Sequence, residues 1–414
     1  MKRRLLGNTA LLGLTQAVNY IAPFLVLLHL TKTLGLDLYG VLSFSQGIAN
    51  LCLVLIDLGY SLSATNKISR KRLDKKYIGK LIGGIFVIKT LLFLVCAIFI
   101  VCFTLHTKQY SNYKVIFWVS LFSIAMQGFI PSWFFYGVEK IKVISIAAII
   151  SKILFSIMIL NIVESQADYS WVPLLYGIEQ LMVLAISIFY IYKLGYKIKK
   201  PSIRMIIYCF KFTRHFFASR VAVSTYMNSG VVILGLAAQP AVVAIYAMAE
   251  QLYKAMQSAL APAAVAAYPY MAKEKDVSFM IMLIKAVVGV AAIGAFFGYL
   301  AAPSVLSIMF GYKWLAAIPV LNIFLVAIII HAAAIMTGYP LAAIVGRLDI
   351  ANTSVILGAV VYLGLLLIMF TLKILSPMSL AIIMVVSELC VVLYRCFMLY
   401  PLVIRINSQK EAIS

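Results

Sequence analysis

Several charged side chains interrupt stretches of this sequence that are otherwise apolar. Lysine and arginine in such stretches supply fixed positive charges, which bind phosphate and diphosphate groups. Carboxylates there can take up a proton or Na⁺, since a low dielectric disfavours the bare negative charge. The residues concerned are Asp57, Lys89, Lys152, Glu179, Glu250, Lys254, Lys285, Glu388 and Arg395.

These residues divide into two predicted groups. We expect the cations, together with nearby Arg220 and three amides, to line a cavity and to contact a diphosphate or sugar: Lys254, Arg220, Lys89, Lys152, Asn19, Asn50 and Asn228. We expect the carboxylates to serve ion coupling or charge pairing: Glu250, Asp57, Glu179 and Glu388. Lys285 and Arg395 lie near the ends of their stretches, where long side chains snorkel to water, which favours a structural role.

A structural alternative stands beside each functional interpretation. Glu250 and Lys254 are one helical turn apart and can simply neutralise each other. Ser, Thr and Asn can merely link helices, through hydrogen bonds of about 0.6 kcal/mol each. A charge at mid-membrane costs about 2.5 to 3.5 kcal/mol, so the charged residues favour a function more strongly than the hydroxyls do.

The composition excludes an ordinary soluble protein. The 414 residues are 64% apolar and 12% charged, with a mean hydropathy of +1.04. Twelve apolar blocks have the roughly 20 residues that cross about 30 Å of hydrocarbon. The sequence therefore predicts an all-α polytopic membrane protein, whose first block is a span and not a cleaved leader. The predicted spans are 9–30, 41–64, 81–105, 115–137, 143–162, 171–192, 214–237, 242–270, 279–302, 315–338, 351–372 and 379–401.

The positions of the cations predict the orientation. With the N-terminus inside, 25 Lys and Arg fall on the cytoplasmic side and five on the other. This excess predicts that both termini are cytoplasmic, and it explains the net charge of +22 without nucleic acid. The densest cationic stretch, residues 193–213, predicts an interfacial linker between two six-helix bundles, 1–192 and 214–414.

Polar residues recur at matching positions in the two halves. They concentrate in the first, second and fourth spans of each half, and Tyr39 corresponds to Tyr246. Six-span repeats are typical of transporters, with the transport site where the halves meet. The pattern therefore predicts a polar cavity between two related bundles.

Motifs for catalysis and for cofactors are absent. The sequence has no GxxxxGK[ST], HExxH or GxSxG, and its six cysteines form no CxxC pair. We therefore predict no enzyme, no cofactor and no metal, and reduced thiols. Gly79–Gly83 and Gly294–Gly298 match GxxxG, which predicts helix contact.

Several motifs resemble one transporter family. They are Asn8 to Pro23, Thr33 to Gly40, Asp57-Leu-Gly59, Pro131 to Gly137 and Ala244 to Glu250. With them the chain resembles the polysaccharide exporters of the multidrug/oligosaccharidyl-lipid/polysaccharide (MOP) superfamily, and most closely the O-antigen repeat-unit flippases.

The resemblance implies a V-shaped pair of bundles that moves an undecaprenyl-diphosphate-linked oligosaccharide across the bacterial inner membrane, from the cytoplasmic to the periplasmic leaflet. It also implies contact with membrane lipid, H⁺ or Na⁺ as coupling ion, and a polysaccharide polymerase and chain-length regulator as partners. Related lipid II flippases rely on arginines in spans one, two and eight, whereas here span eight has Lys254 and spans one and two have no cation.

Two other functions compete with the flippase. One is a drug/cation antiporter of the same superfamily, against which the cationic residues argue. The other is an O-antigen polymerase or ligase. Such enzymes need a large periplasmic loop, and no predicted outside loop exceeds about a dozen residues by the span lengths used.

Overall fold

The computed structural model describes the backbone of residues 2–411 and the side chains of residues 21–213 and 229–404. Throughout this part the chain is built from α-helices and short helical turns, without strands. This confirms the all-α prediction. The helices are α1 Lys2–Asp57, α2 Tyr60–Arg70, α3 Lys75–His106, α4 Lys114–Gly128, α5 Ser132–Gly137, α6 Ile141–Ile162, α7 Trp171–Lys193, α8 Ile203–Ala237, α9 Pro240–Glu274, α10 Val277–Val305, α11 Ile318–Thr337, α12 Tyr339–Val345, α13 Leu348–Thr371 and α14 Pro377–Glu411.

The helices match the predicted membrane spans. Most predicted blocks fall within one helix, and α1 carries the first span and most of the second on either side of Gly35. The blocks 41–64 and 115–137 each run across a break into the short helix that follows, α2 or α5. Among the described residues, nine helical segments are long and apolar enough to cross a membrane. α10 shows the expected lipid-facing surface, since Val290, Ile293 and Phe296 are 61 to 64% exposed. The protein is therefore a multi-pass membrane protein.

Two glycines with positive φ lie in two of the motifs near the start of the chain, Thr33 to Gly40 and Asp57-Leu-Gly59. Gly35 has φ 73° and breaks α1 into two helices. Gly59 has φ 83° and separates α1 from α2, directly after Leu58 at φ 48°. Glycine adopts this backbone region without steric cost, so both positions set the direction of the following helix.

Contacts divide the chain into two compact units, Met1–Val232 and Ile233–Ser414. The first unit includes the basic segment, where Tyr196 and Cys209 are buried in one core cluster with Tyr60, Trp133 and Phe134. In the second unit a core cluster joins α9, α10, α11, α13 and α14. The linker prediction for residues 193–213 stays a prediction.

The first GxxxG pair contacts an extended segment and not another helix. A Cβ on Gly79 would meet the carbonyl oxygen of Lys197 at 2.1 Å, and one on Gly83 would meet that of Lys199 at the same distance. The backbone N–H of Lys199 also donates to the Gly79 carbonyl at 3.0 Å. The close packing occurs, but the predicted helix partner is wrong, because residues 196–202 are non-helical.

The two units repeat one order of elements at an offset of 202 to 207 residues. Asp74 and Asp276 cap α3 and α10 through their side chains. A six-residue 3-10 turn then precedes α4 and α11, at Lys108–Tyr113 and Tyr312–Ala317. Each of these helices is followed by a break and a short helix, α5 or α12. This order supports the internal repeat far better than the single tyrosine match.

Candidate functional site

The predicted site residues of the first unit include an ion pair between buried Lys89 and half-buried Asp57. Lys89 Nζ lies 3.8 Å from Asp57 Oδ1, and the lysine side chain is only 3% exposed. The same Nζ donates to the carbonyl oxygen of Gly128 at 2.7 Å. Asp57 also accepts a hydrogen bond from the Ser61 hydroxyl. Lys89 is therefore held by two fixed partners.

The second partner of Lys89 follows from the break after α4. Gly128 is the last residue of α4, so its carbonyl lacks an intrahelical donor. Pro131, three residues on, has no N–H to supply one. Lys89 fills this role, which favours a structural function, and its contact with a diphosphate stays a prediction.

Replacing Lys89 by methionine should lower the free energy of unfolding by about 1 to 3 kcal/mol, because the Gly128 carbonyl would stay buried without a donor. Thermal unfolding of the purified protein in detergent measures the effect. Lys76→Met on the exposed start of the same helix is the matched control. Equal stability of the two variants would contradict the capping role.

A second carboxylate and lysine that interact in the first unit come from α7 and α6. Glu179 is buried and Lys152 is half-buried, and the lysine is close enough to interact electrostatically with the carboxylate. Asn50 is half-buried on α1. Asn19, Arg220 and Asn228 lie outside the described side chains. Their predicted places in the cavity stay predictions.

In the second unit Glu250 and Lys254 form a salt bridge along α9. Lys254 Nζ lies 2.8 Å from Glu250 Oε2. The side chain of Lys254 is 35% exposed and that of Glu250 is 13% exposed. This is the pairing that their spacing allows. Lys254 has the more exposed side chain of the two.

Glu388 lies in a second polar cluster of this unit, with His331 and Gln257. His331 Nδ1 lies 3.0 Å from Glu388 Oε1, and Gln257 Nε2 lies 3.4 Å from the same oxygen. Gln257 Nε2 is also 3.2 Å from His331 Nδ1. The other oxygen, Glu388 Oε2, is buried without a hydrogen-bond partner in the described part of the chain. The cluster joins α14, α11 and α9.

Arg395 corrects the prediction that it snorkels to the surface. Arg395 is only 7% exposed, and its Nε–H donates to Ser354 Oγ at 2.7 Å. Its Nη1 donates to the Ala334 carbonyl and its Nη2 to the Ala351 carbonyl at 3.4 Å. The side chain is buried because three acceptors on two other helices hold its guanidinium inside the protein.

Lys89 and Arg395 perform the same task in the two repeats. Their acceptors, Gly128 and Ala334, are 206 residues apart, close to the 204 residues between the starts of α4 and α11. Each acceptor lies in the last turn before the helix break, where carbonyls lack intrahelical donors. A buried cation therefore stabilises the broken helix in both units, although α3 supplies it in one and α14 in the other.

Sequence reasoning missed Gln257 and the role of Arg395. Gln257 follows Glu250 and Lys254 at helical spacing, so the same polar face of α9 carries all three. Arg395 is two turns from Glu388 on α14, on the same face. Helical spacing on α9 and α14 could have indicated both residues. It could not have shown which side chains on other helices they contact.

The described residues offer acid–base pairs and not a metal site. Within the described ranges no group of three or more His, Cys, Asp and Glu is placed to hold a metal ion. The chemistry available is the exchange of carboxylate for other anions at lysine and the uptake of protons by carboxylate and imidazole.

Comparison with solved structures identifies the fold. The chain resembles a lipid II flippase, MurJ, in an inward closed conformation, with a TM-score of 0.75 and 12% identity over 93% of this chain and 87% of that one. It also resembles an inward-facing multidrug resistance MATE family transporter of the MOP superfamily, with a TM-score of 0.67 and 13% identity over 94% and 95% of the two chains. The protein therefore has the fold of the MOP superfamily, as its motifs predicted.

Sequence comparison adds the family. Residues 5–275 match the polysaccharide biosynthesis protein family, and the chain belongs to that family. A relative from Escherichia coli (strain K12), whose name describes it as an O-antigen transporter, is 25% identical over 269 residues. This match covers 65% of the present chain and 65% of the relative, slightly less than two thirds of its length.

Proposed function

We propose that the protein flips an undecaprenyl-diphosphate-linked O-antigen or similar repeat unit from the cytoplasmic to the periplasmic leaflet of the bacterial inner membrane. The family match carries the proposal, and the similarity in fold to a lipid II flippase supports it. A sugar diphosphate cannot cross hydrocarbon unaided, because its charges would lose their water. The protein supplies polar groups along the path and alternates between states open to either side.

Lys254 is the residue that we assign to the diphosphate. Its side chain is 35% exposed, and its ammonium lies 2.8 Å from Glu250 Oε2. A diphosphate carries more negative charge than one carboxylate, so it competes for the ammonium with a charge-assisted hydrogen bond. When the substrate leaves, Glu250 takes the lysine back. The pair thus gives Lys254 a hydrogen-bond partner when no substrate is bound.

Deletion of the gene in its host is the test of the flippase function. A lipid-linked sugar should accumulate on the cytoplasmic face of the inner membrane, because its synthesis continues while its export stops. Restoring the full chain should clear it. If no lipid-linked sugar accumulates, the proposed function is lost.

Lys254→Ala should sharply reduce surface polysaccharide without changing the amount of protein in the membrane, since it removes the charge for the diphosphate. Staining of the polysaccharide and quantification of the tagged protein measure the two effects. Lys285→Ala, which removes an exposed lysine from α10, is the control. Normal polysaccharide in the Lys254→Ala strain would remove this residue from the substrate path.

The second candidate function is drug/cation antiport, and the similarity in fold to a MATE family transporter favours it. Its test uses cells that cannot make polysaccharide. Drug efflux that depends on this protein and persists in such cells would support the antiporter, whereas efflux at the level of the deletion strain would reject it.

A further inference from the structure

The cluster of Glu388, His331 and Gln257 has an unbalanced set of hydrogen bonds. Glu388 Oε1 lies within reach of both His331 Nδ1 and Gln257 Nε2, at 3.0 and 3.4 Å. Among the residues whose side chains are described, Glu388 Oε2 has no hydrogen-bond partner, although the Glu388 side chain is only 8% exposed. A buried acceptor without a donor costs about 1 to 3 kcal/mol, so this oxygen is expected to be used in another state of the site.

We propose that Glu388 and His331 form the proton-binding site that couples transport to a proton gradient. His331 donates its Nδ1–H to Oε1 and holds the carboxylate in place. A proton from water then binds to Oε2, which converts the carboxylate into a neutral carboxyl group, and it returns to water on the other side of the membrane. Gln257 is a positioning residue, because its amide N–H donates to the same oxygen, Oε1. The coupling role rests on the proposed transport function, whereas proton binding does not.

The donors around Glu388 favour a proton over Na⁺. Na⁺ is a hard cation that prefers oxygen ligands, as Ca²⁺ and Mg²⁺ do. The groups near Oε1 are an imidazole nitrogen and an amide nitrogen, which donate hydrogen bonds and repel a metal cation. Histidine, moreover, is the side chain whose charge changes near neutral pH. The groups around Glu388 therefore favour binding of a proton over binding of Na⁺.

The charges near Glu388 set the effect of the proton. Arg395, two turns away on α14, interacts electrostatically with Glu388. While Glu388 is ionised and His331 is neutral, the charges of Glu388 and Arg395 cancel. Proton uptake leaves one net positive charge, which weakens the binding of the next cation. Other titratable side chains on the helices of this cluster include Tyr246, Tyr253 and the Glu250–Lys254 pair on α9, Cys390 on α14 and Tyr362 on α13.

The site is directly linked to the residue proposed for the diphosphate. Gln257 is three residues after Lys254 on α9, so both side chains project from nearly the same face within one helical turn, about 4.5 Å along the axis. Protonation of Glu388 changes the hydrogen bond that joins Gln257 on α9 to Glu388 on α14. Proton binding therefore alters how α9, and Lys254 with it, is held.

Infrared spectroscopy of the purified full-length protein tests proton binding directly. We expect a carboxyl C=O band that appears as the pH falls in the wild-type protein and is missing from the spectrum of Glu388→Gln. His331→Gln should move the pH at which the band appears. Glu139→Gln and His29→Gln, which change an exposed carboxylate and a histidine of the first unit, should leave the band unchanged.

The same preparations distinguish the alternatives. Identical carboxyl bands in the wild-type protein and in Glu388→Gln would overturn the site. So would a rise in unfolding temperature with NaCl over KCl that is lost in Glu388→Gln, because it would assign the site to Na⁺. If Glu388→Gln does not fold, the shift in His331→Gln decides, and an unshifted band there overturns the proposal.

The coupling role has its own measurement in cells. Surface polysaccharide should depend on external pH in wild-type cells and should lose that dependence in Glu388→Gln cells. An unchanged pH dependence would overturn the coupling. Failure of the flippase function is recognised separately, since the deletion strain would then accumulate no lipid-linked sugar.

Discussion

Replacing Arg395 by methionine should lower the free energy of unfolding of the second unit by about 3 to 5 kcal/mol. The substitution keeps an apolar stem but removes three hydrogen bonds from a charged donor, including the one to the Ala334 carbonyl. That carbonyl lies beside the break between α11 and α12. Glu388 also loses the positive charge that interacts with it. A lower unfolding temperature in detergent is the measurement.

Two further variants make the result specific. Arg395→Lys should recover part of the stability, because an ammonium restores the charge but cannot reach three acceptors in a fixed plane. Lys285→Met removes an exposed cation from α10 and should change little. If Arg395→Met unfolds at the wild-type temperature, the guanidinium is not needed to stabilise the break.

The second large effect is expected for Gly83→Ala. The new Cβ would lie 2.1 Å from the Lys199 carbonyl oxygen and 3.3 Å from Pro201 Cδ, inside van der Waals contact. Overpacking costs about 1 to 3 kcal/mol where side chains can move, and here the obstacle is backbone, so we expect about 3 kcal/mol. Segment 196–202 would have to leave α3. Its displacement should increase proteolysis at the lysines of that segment.

Gly294→Ala is the matched control for this prediction. It belongs to the other GxxxG pair, but nothing lies within 4 Å of its added Cβ. We expect wild-type stability, or a slight gain, because alanine favours the helix. Equal behaviour of the two variants would show that segment 196–202 does not press against α3.

Several charged residues in the spans form pairs with each other, whereas the sequence predicted that the cations line a cavity. Asp57 meets Lys89, Glu250 meets Lys254, and Glu388 meets His331. Pairing lowers the cost of a buried charge, and it leaves few cations ready to bind substrate. Pairing also distinguishes structural charged residues from those proposed to act in transport. Lys89 and Arg395 stabilise broken helices. The proposals assign substrate binding to Lys254, whose side chain is partly exposed, and proton binding to Glu388, whose Oε2 has no described partner.

The sequence by itself determined the helices. Backbone groups in hydrocarbon must bond within their own segment, so apolar blocks of sufficient length have to be helical. Most predicted blocks match helices for this reason, and Gly35 separates the first two blocks at a positive φ. Gly59 lies within the block 41–64 and divides it between α1 and α2. The motifs likewise identified the superfamily, since they reflect fixed turns and helix ends.

Only the tertiary structure decided which charges meet. Residues on different helices come together through the rotation and depth of each helix, and these depend on packing over the whole unit, not on local spacing. Thus Glu250 and Lys254, on one helix, were paired correctly from the sequence. Lys89 with Gly128, Arg395 with Ala334, and Glu388 with His331 and Gln257 join distant helices, and the fold alone brings them together.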